Sequence, residues 1–303
     1  MDADFTIEVR FYRLSEALQP YFTALYATTV SCAPGVWVKD QLHPEWAALR
    51  FTDGPAPIAC VGPGDMFSQW PFVANGPTSK AIQFGVTRSR VWGLGLQPAG
   101  WSKFIAQPAN ALSDRTVDGS SHDAFTLFRP LLRQVLDAAG DGELVASRIN
   151  DFLMRHAGRP VPYETQIMAC QQALRDPDVA NVAELGDRLA MNRRSLERLC
   201  GRYFGFPPKL LLRRQRFLRS LAQFMLEPAG SWSKALDGQY YDQAQFVRDF
   251  RSFMGVTPSE YADAPHPILE KIMAQRMADQ GAAPQTDLPT VLRYTSDMTP
   301  GSE

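Results

Sequence analysis

Asn192–Leu211 reads NRRSLERLCGRYFGFPPKLL, and fifty residues later Asp242–Tyr261 reads DQAQFVRDFRSFMGVTPSEY. Both stretches begin at a residue that favours the helix N-cap and end in a glycine followed by a proline, as at the end of a helix. Both keep apolar residues at i, i+4, i+7 and i+8, namely Leu196, Cys200, Tyr203 and Phe204, then Phe246, Phe250, Phe253 and Met254. The repeat therefore predicts two equivalent helices, each packed through one face, at Arg193–Phe204 and Gln243–Met254.

A shorter helix is predicted before each copy, at Val182–Ala190 and near Ser233–Asp237. A short helix, a tight turn and a second helix make a helix-turn-helix unit, so the sequence predicts two such units. A long helix over 209–226 joins them, and a further helix is expected before them at Glu164–Arg175. We expect this half of the chain to be all-α, with two homeodomain-like units.

Charge is distributed unevenly along the chain. The whole chain has a net charge of −1, but Arg188 to Arg219 holds ten basic residues and a single acidic one, Glu197. Such a local excess of positive charge is typical of a surface that binds a polyanion. Solvation alone explains any single arginine of this segment. It does not explain why the caps and the exposed polar faces are preserved in both copies of the repeat.

A helix fits the DNA major groove, and the side chains near its N-terminus reach base edges there. Arg194 and Arg198 can each donate two hydrogen bonds to guanine, and Gln243 can pair in the same way with adenine. Neighbouring arginines would contact phosphates and add affinity that is independent of sequence, namely Arg213, Arg214, Arg216 and Arg219. The hypothesis is sequence-specific binding of a double-stranded DNA operator.

At these residues the sequence resembles the AraC/XylS family of bacterial transcription regulators, over about 165–262. The strings MNRRSLER at 191–198, YYDQAQF at 240–246 and FRSFMGVTPSEY at 250–261 carry the resemblance. It implies that the two recognition helices enter successive major-groove segments on one face of the DNA. It places base contacts at Arg194, Glu197, Arg198, Gln243, Ala244 and Arg248. From the exposed positive charge we predict phosphate contacts at Arg193, Arg202, Arg213, Arg214 and Arg251.

The chain departs from that family at the turns of both units. The family usually has glycine at each turn, whereas Ala190 and Gln239 stand there, with Gly238 one place early. Gln245 replaces a common histidine. We therefore expect a distorted turn in the second unit.

The first hundred residues predict a β-rich domain. Runs with strand character are separated by Gly and Pro pairs, at Phe5–Phe11, Ala47–Phe51, Ile58–Val61, Ala81–Val86 and Val91–Leu96. Two helices with one apolar face each follow, at Asp123–Ala139 and Glu143–His156. The fold class is α+β: a β-rich barrel or half-barrel with a helix pair, then the helical domain. HPEWAALRF at 43–51, VGPG at 61–64 and GLGLQPAG at 93–100 are similar to the sensing domains that precede some AraC-type DNA-binding domains.

The predicted organisation has three parts: a regulatory domain at 1–158, a DNA-binding domain at 163–264 that folds on a core of its own, and a partly disordered extension at 265–303 with one helix, Ile268–Asp279. The tryptophan-rich β region either holds a small-molecule effector or is filled by its own side chains. The helix pair either forms a homodimer seam or packs only on its own barrel. Family resemblance favours an activator, which would also contact RNA polymerase.

Catalytic and membrane functions have little support in the sequence. In the β-rich region His43 and Glu45 are the only histidine and carboxylate that lie close together, and His122 and His156 are far from them, so no metal or cofactor is expected. A DNA-repair protein with a methyl-accepting Cys32 or Cys60 is the alternative function, whereas Cys200 lies on a predicted core face. No apolar run is long enough to span a membrane, and the chain begins without a secretory signal, so a cytoplasmic location is expected.

Overall fold

The computed structural model describes residues 5–138, 140–226 and 237–278. Its first part contains ten strands in two antiparallel sheets. The larger sheet has the order β1-β2-β9-β4-β7-β10, and the smaller has the order β3-β8-β5-β6. The strands are β1 Phe5–Tyr12, β2 Phe22–Cys32, β3 Val38–Leu42, β4 Ala48–Asp53, β5 Ile58–Val61, β6 Phe67–Ser68, β7 Phe72–Asn75, β8 Ile82–Val86, β9 Ser89–Leu96 and β10 Thr116–Asp118.

The described strands form two sheets rather than one closed barrel. One face of the larger sheet supplies much of an aromatic core, in which Phe51 stacks on Phe72 with ring centroids 4.5 Å apart and Trp92 stacks on Tyr12 at 5.0 Å. Three of the five tryptophans of this half, Trp46, Trp92 and Trp101, are buried in hydrophobic cores. The space between the two sheets is a separate interior.

Helices α1 Pro98–Phe104, α2 Arg129–Leu136 and α3 Gly142–His156 cover the larger sheet. The predicted helix over 123–139 is divided, because Asp123–Phe128 is a 3-10 helix and α2 begins with Pro130 in its first turn. Phe128, Leu131 and Val135 share one core with the sheet. The helix pair therefore packs on its own sheet, and it leaves Leu136, Leu144 and Met154 about 40% exposed.

The second half is helical, with α4 Glu164–Arg175, α5 Val182–Arg188, α6 Arg193–Leu199, α7 Pro208–Leu226, α8 Gln243–Met254, α9 Pro258–Asp263 and α10 Pro267–Ala278. The predicted helix at Arg193–Phe204 is α6 extended by a π-helical turn, Cys200–Phe204. Most of the short helix expected near Ser233–Asp237 lies outside the described residues. The helix expected in the C-terminal extension is confirmed as α10.

The two halves share their cores, so the expectation of separate cores is wrong. Trp46 and Ala99 of the first half belong to the core of α4–α7, and Trp46 meets Phe204 edge to face at 5.8 Å. Ala81 belongs to the core of α7 and α8. Glu164 of α4 also accepts hydrogen bonds from Tyr21 and Lys103, at 2.6 and 2.8 Å.

Candidate nucleic-acid interface

The first recognition helix is α6, and its start is fixed locally. Asn192 Oδ1 accepts a hydrogen bond from the Ser195 amide at 2.9 Å, as an N-cap does. The turn before it contains Ala190 with φ +50°, where the family has glycine. The Met191 amide donates to Gly186 O at 2.9 Å and closes that turn. A residue with a Cβ is thus held in the left-handed region, which is strained for alanine.

The second recognition helix is α8, and its turn is built differently. Asp242 Oδ1 accepts from the Gln245 amide at 2.6 Å, and Gln245 Oε1 accepts from the Tyr241 amide at 3.1 Å. Among residues 237–242 none has a positive φ, so the turn differs from that of the first unit. Gln245, which replaces the histidine of the family, has an N-terminal capping role.

All six predicted base-reading side chains are exposed on the two recognition helices: Arg194, Glu197 and Arg198 on α6, and Gln243, Ala244 and Arg248 on α8. Arg193 is also exposed and forms an ion pair with Glu197 at 2.9 Å, which holds that carboxylate beside the first turn of α6. The opposite faces are buried through Leu196 and Phe246, both fully inaccessible. The repeat therefore places its polar faces outward, as the sequence predicts.

The arginines of α7 do not form the expected row of phosphate contacts. Arg213 and Arg216 donate to the buried carboxylate of Asp249 at 2.6 and 3.3 Å. Arg219 is paired with Asp237, and its side chain is 14% exposed. Asp249 and Asp237 come from the second unit, so these arginines attach α7 to that unit. Arg193, Arg202 and Arg251 remain exposed.

Arg214 is the clearest correction, because its residue is only 1% exposed. Its Nη1 donates to Thr78 O at 2.8 Å and to Glu45 O at 3.3 Å. Its guanidinium lies 3.9 Å from the centroid of the Trp46 ring. The buried side chain joins the two halves and is out of reach of a phosphate at the surface. The prediction that Arg214 contacts phosphate is therefore wrong.

The first half also holds the C-terminal end of α8. Gln41 Nε2 donates to Met254 O at 2.8 Å, Lys80 Nζ to Ser252 O at 2.5 Å, and the Ala81 amide to Phe253 O at 2.7 Å. The last carbonyls of a helix have no partner within the helix, and here the β-rich half supplies donors for them. The position of the second recognition helix is thus set by the β-rich half, while its base-reading face stays open.

Tyr241 is a surface residue that the sequence did not single out. It lies directly before the N-cap of α8 and is 94% exposed. An exposed aromatic ring next to a predicted base-reading helix is suited to contact DNA sugar or phosphate. The only available signal was the Tyr240-Tyr241 pair, of which Tyr240 is half-buried against Arg216, 4.5 Å from its ring centroid.

The residues considered for metal binding or methyl transfer lie in structural contacts or in buried positions. His43 Nε2 lies 2.8 Å from the Tyr261 hydroxyl, at the contact between the halves. Burial, with a smaller contribution from Asp65, raises the pKa of the Cys60 thiol, which disfavours the thiolate that methyl transfer needs. Cys200 is fully buried, as predicted. Within the described ranges no three His, Cys, Asp or Glu side chains are grouped as metal ligands, and no helix there could cross a membrane.

Comparison with known proteins places a named domain on this surface. The family described as a helix-turn-helix domain matches residues 185–264. A search of curated proteins by sequence finds no match.

The solved structures that the chain matches include those of ToxT and CuxR. ToxT from Vibrio cholerae O395, bound to (E)-4-(8-methylnaphthalen-1-yl)but-3-enoic acid, has a TM-score of 0.43 and 11% identity over 86% of this chain and 98% of its own. ToxT from V. cholerae strain SCE256 with an unsaturated fatty acid has a TM-score of 0.42 and 12% identity, covering 85% and 94%. The AraC-like transcriptional activator CuxR has a TM-score of 0.33 and 12% identity, covering 72% and 82%.

The family match includes α6 to α9, which carry the repeat, both N-caps and both exposed polar faces. Its position agrees with the part of the chain where the sequence resembles the AraC/XylS regulators. Residues 185–264 are an AraC-type helix-turn-helix domain, and the chain is a DNA-binding transcription regulator built on that domain.

Proposed function

We propose that α6 and α8 read bases in successive major-groove segments, through Arg194, Glu197 and Arg198 and through Gln243, Ala244 and Arg248. The observation that carries this proposal is the joint exposure of these six residues on two capped helices. Arg193, Arg202 and Arg251 are the proposed phosphate contacts, and Tyr241 is added to them. Arg213 and Arg214 are no longer among the proposed phosphate contacts. The Arg213 guanidinium donates to Asp249, and that of Arg214 donates to Thr78 O at the contact between the halves.

The test is selection of promoter fragments from the protein's own genome by the purified full chain. Arg198→Ala should weaken binding to a selected fragment by about 1–3 kcal/mol and relax the preference at one or two base pairs. Arg251→Ala should weaken binding to all fragments alike and flatten the dependence on salt. Unchanged selectivity in Arg198→Ala would show that α6 is placed wrongly.

We propose further that a small molecule binds the β-rich half and controls DNA binding. Between the two sheets lies a cavity of about 80 Å³, and a second cavity of about 170 Å³ lies between the sheets, α7 and α10. The second cavity touches Leu218 and Ala222 of α7, the helix that joins the two recognition helices. A molecule bound there can therefore change the relative position of the two recognition helices. The coupling free energy between such an effector and DNA is typically about 1–3 kcal/mol.

Thermal-shift screening of metabolites, followed by operator affinity with each hit, tests this part. A hit should stabilise the chain and change operator affinity, and DNA should change the affinity of the hit by the same factor. If no metabolite changes operator affinity, the β-rich half has a structural role only.

The remaining assignments belong to the same proposal. The domains are 1–158, 163–264 and an extension from 265, although the halves share cores. We place the chain in the cytoplasm with its DNA, as a non-enzymatic activator that contacts RNA polymerase. Leu136, Leu144 and Met154 on α2 and α3 support a homodimer seam, because each keeps large apolar surface in solvent. Sedimentation of the wild type and of Leu144→Glu tests the seam.

A further inference from the structure

Helix α10 follows the DNA-binding domain in sequence but packs on the β-rich half. Strand β1 is the edge of the larger sheet and β3 is the edge of the smaller one. Ile268 and Ile272 of α10 share a core with Val9 of β1 and Val38 of β3. The helix therefore lies across the gap between the two sheet edges and closes that side of the interior.

The N-terminus of α10 is held by one buried carboxylate. Asp40 Oδ2 accepts hydrogen bonds from the Ile268 and Leu269 amides, each at 2.8 Å, and Asp40 Oδ1 lies 3.2 Å from His266 Nδ1. His266 Nε2 donates to Tyr261 O at 2.9 Å, and the His266 ring stacks on Tyr261 with centroids 4.1 Å apart. These polar contacts attach the first turn of α10 to β3 and α9.

One residue of α10, Ile272, lines both cavities. The cavity between the sheets is lined also by Ile268, and the second cavity also by Leu269 and Met273. At about 80 Å³ the first cavity is smaller than the roughly 150 Å³ that accommodates benzene in a protein interior. A molecule of metabolite size therefore needs more room than this cavity provides, and Ile268 and Ile272 form one of its walls.

The lining of the first cavity indicates what it would bind. Three polar atoms there, Thr28 Oγ1, Thr52 Oγ1 and Gln69 Oε1, have no hydrogen-bond partner among the residues that the structure describes, and their residues are 5%, 2% and 6% exposed. Leaving buried polar atoms unpaired costs stability, so they are suited to a ligand that pairs with them. Gln69 Oε1 can only accept, so that ligand must carry a donor.

Arg50, a cation in the lining of this cavity, does not favour the binding of an anionic ligand. Arg50 lines the cavity, but its Nη2 donates to both carboxylate oxygens of Glu45 at 2.9 Å, and its Nη1 donates to Asn75 at 2.9 Å. Its charge is therefore already neutralised. The other lining is mainly aliphatic, with Val30, Ile82 and Val86 among its residues.

We propose that α10 is a lid over a binding site for a neutral, mainly apolar molecule that carries a hydroxyl group, and that α10 must leave Asp40 for the molecule to enter. This inference rests on the proposed effector site in the β-rich half and adds the class of its ligand and the route of entry. The hydroxyl donates to Gln69 or pairs with Thr28 and Thr52, and the apolar body displaces Ile272 toward α7.

The ligand class is tested on the full chain by ¹⁹F NMR with three matched probes: 4-fluorophenol, 4-fluorotoluene and 4-fluorobenzoate. We expect 4-fluorophenol to bind at least about tenfold more tightly than 4-fluorobenzoate. Thr52→Val should lower the affinity for 4-fluorophenol by about three- to tenfold and leave that for 4-fluorotoluene within about twofold. Equal affinities for the phenol and the benzoate, or no binding of any probe, would overturn the assigned class.

The lid is tested with His266→Ala, and with Lys271→Ala as the control on the exposed face of the same helix. His266→Ala should increase hydrogen exchange over 267–278 and the association rate of 4-fluorophenol, each by about tenfold, while Lys271→Ala changes neither. His266→Gln, which can still donate to Tyr261 O, covers the case in which the alanine variant fails to fold.

The outcomes separate this inference from the function on which it rests. If 4-fluorophenol binds and its association rate is the same in His266→Ala although 267–278 exchanges faster, α10 is not the lid, while the effector site stands. If faster exchange and faster association occur together, the lid is supported. The effector site itself fails only if no metabolite in the thermal-shift screen changes operator affinity.

Discussion

The two helix-turn-helix units share a sequence pattern but are fixed in different ways. The first unit contains a strained turn at Ala190, and its recognition helix is capped locally by Asn192. The second has no positive φ between 237 and 242, and the end of its recognition helix is held by Gln41, Lys80 and Ala81 of the β-rich half. Both units contact the β-rich half, but in different ways. The first does so through Trp46 against Phe204 and through Ser113 Oγ, which donates to Gly205 O at 2.7 Å, whereas the second receives three donors at the last carbonyls of α8.

Arg214→Ala should have the largest effect, because it removes the buried cation that joins the halves. The free energy of unfolding should fall by about 2–4 kcal/mol, since Thr78 O loses the Arg214 donor, Glu45 O keeps only the Thr78 amide, and Trp46 loses the guanidinium that lies over its ring. Urea denaturation measures this, with Arg198→Ala as the control, which should keep wild-type stability because Arg198 is exposed. Wild-type stability with a flatter salt dependence of DNA binding would return Arg214 to the phosphate contacts.

Ala190→Gly should raise stability by about 1 kcal/mol, because glycine adopts the left-handed turn without strain. The matched control is Gly238→Ala in the second unit. Gly238 has no positive φ, and no atom of the described residues lies within 4 Å of a Cβ placed there, so alanine fits and the effect should be small. Thermal unfolding of both variants checks the difference between the turns; a loss of stability in Ala190→Gly would contradict it.

Gln41→Ala should sharpen the comparison between the units, since it removes one donor from the last turn of α8. We expect about 1 kcal/mol less protection of the α8 amides and no change in α6. Hydrogen exchange followed by mass spectrometry resolves the two helices. Equal loss of protection in both helices would mean that the units respond as one body.

The attachment of the N-terminus of α10 to Asp40 should depend on pH. Burial lowers the pKa of His266, but hydrogen bonds to Asp40 and to Tyr261 O outweigh it, and the net pKa is raised above 6.5. The charges and titratable groups facing the ring are Asp40 on β3, Tyr261 on α9 and Glu270 on α10 itself. A raised pKa stabilises the folded form below 6.5 and loses that contribution as pH rises through the folded value.

Hydrogen exchange over 267–278, corrected for the intrinsic rate, should therefore show more opening at about pH 8 than at about pH 6. His266→Gln should remove the difference. Equal opening of the wild type at both pH values would show that protonation of His266 does not control the attachment of α10.

The helices were predictable where their signals are local. Glu164–Arg175 and Gln243–Met254 have the predicted bounds, because caps and apolar spacing lie within each segment. Strand β2, Phe22–Cys32, was missed: it lies between β1 and β9 and is buried without strict alternation, so it lacks the period of a half-buried strand.

The same division holds for the candidate site. The exposed faces of α6 and α8 follow from helical periodicity, so the predicted base-reading residues lie on the surface. The burial of Arg214 depends on Trp46, Glu45 and Thr78, which are far away in sequence, and no local pattern announces that contact. From the sequence alone, Arg214 cannot be distinguished from the neighbouring cations Arg213 and Arg216.

A hydroxyl-radical footprint on a selected promoter fragment tests most directly whether two helices read the DNA. We predict two protected segments on one face of the DNA, about 10 base pairs apart. Arg198→Ala should weaken one segment and Arg248→Ala the other. A single protected segment, or loss of both segments with either substitution, would contradict the proposal of two base-reading helices.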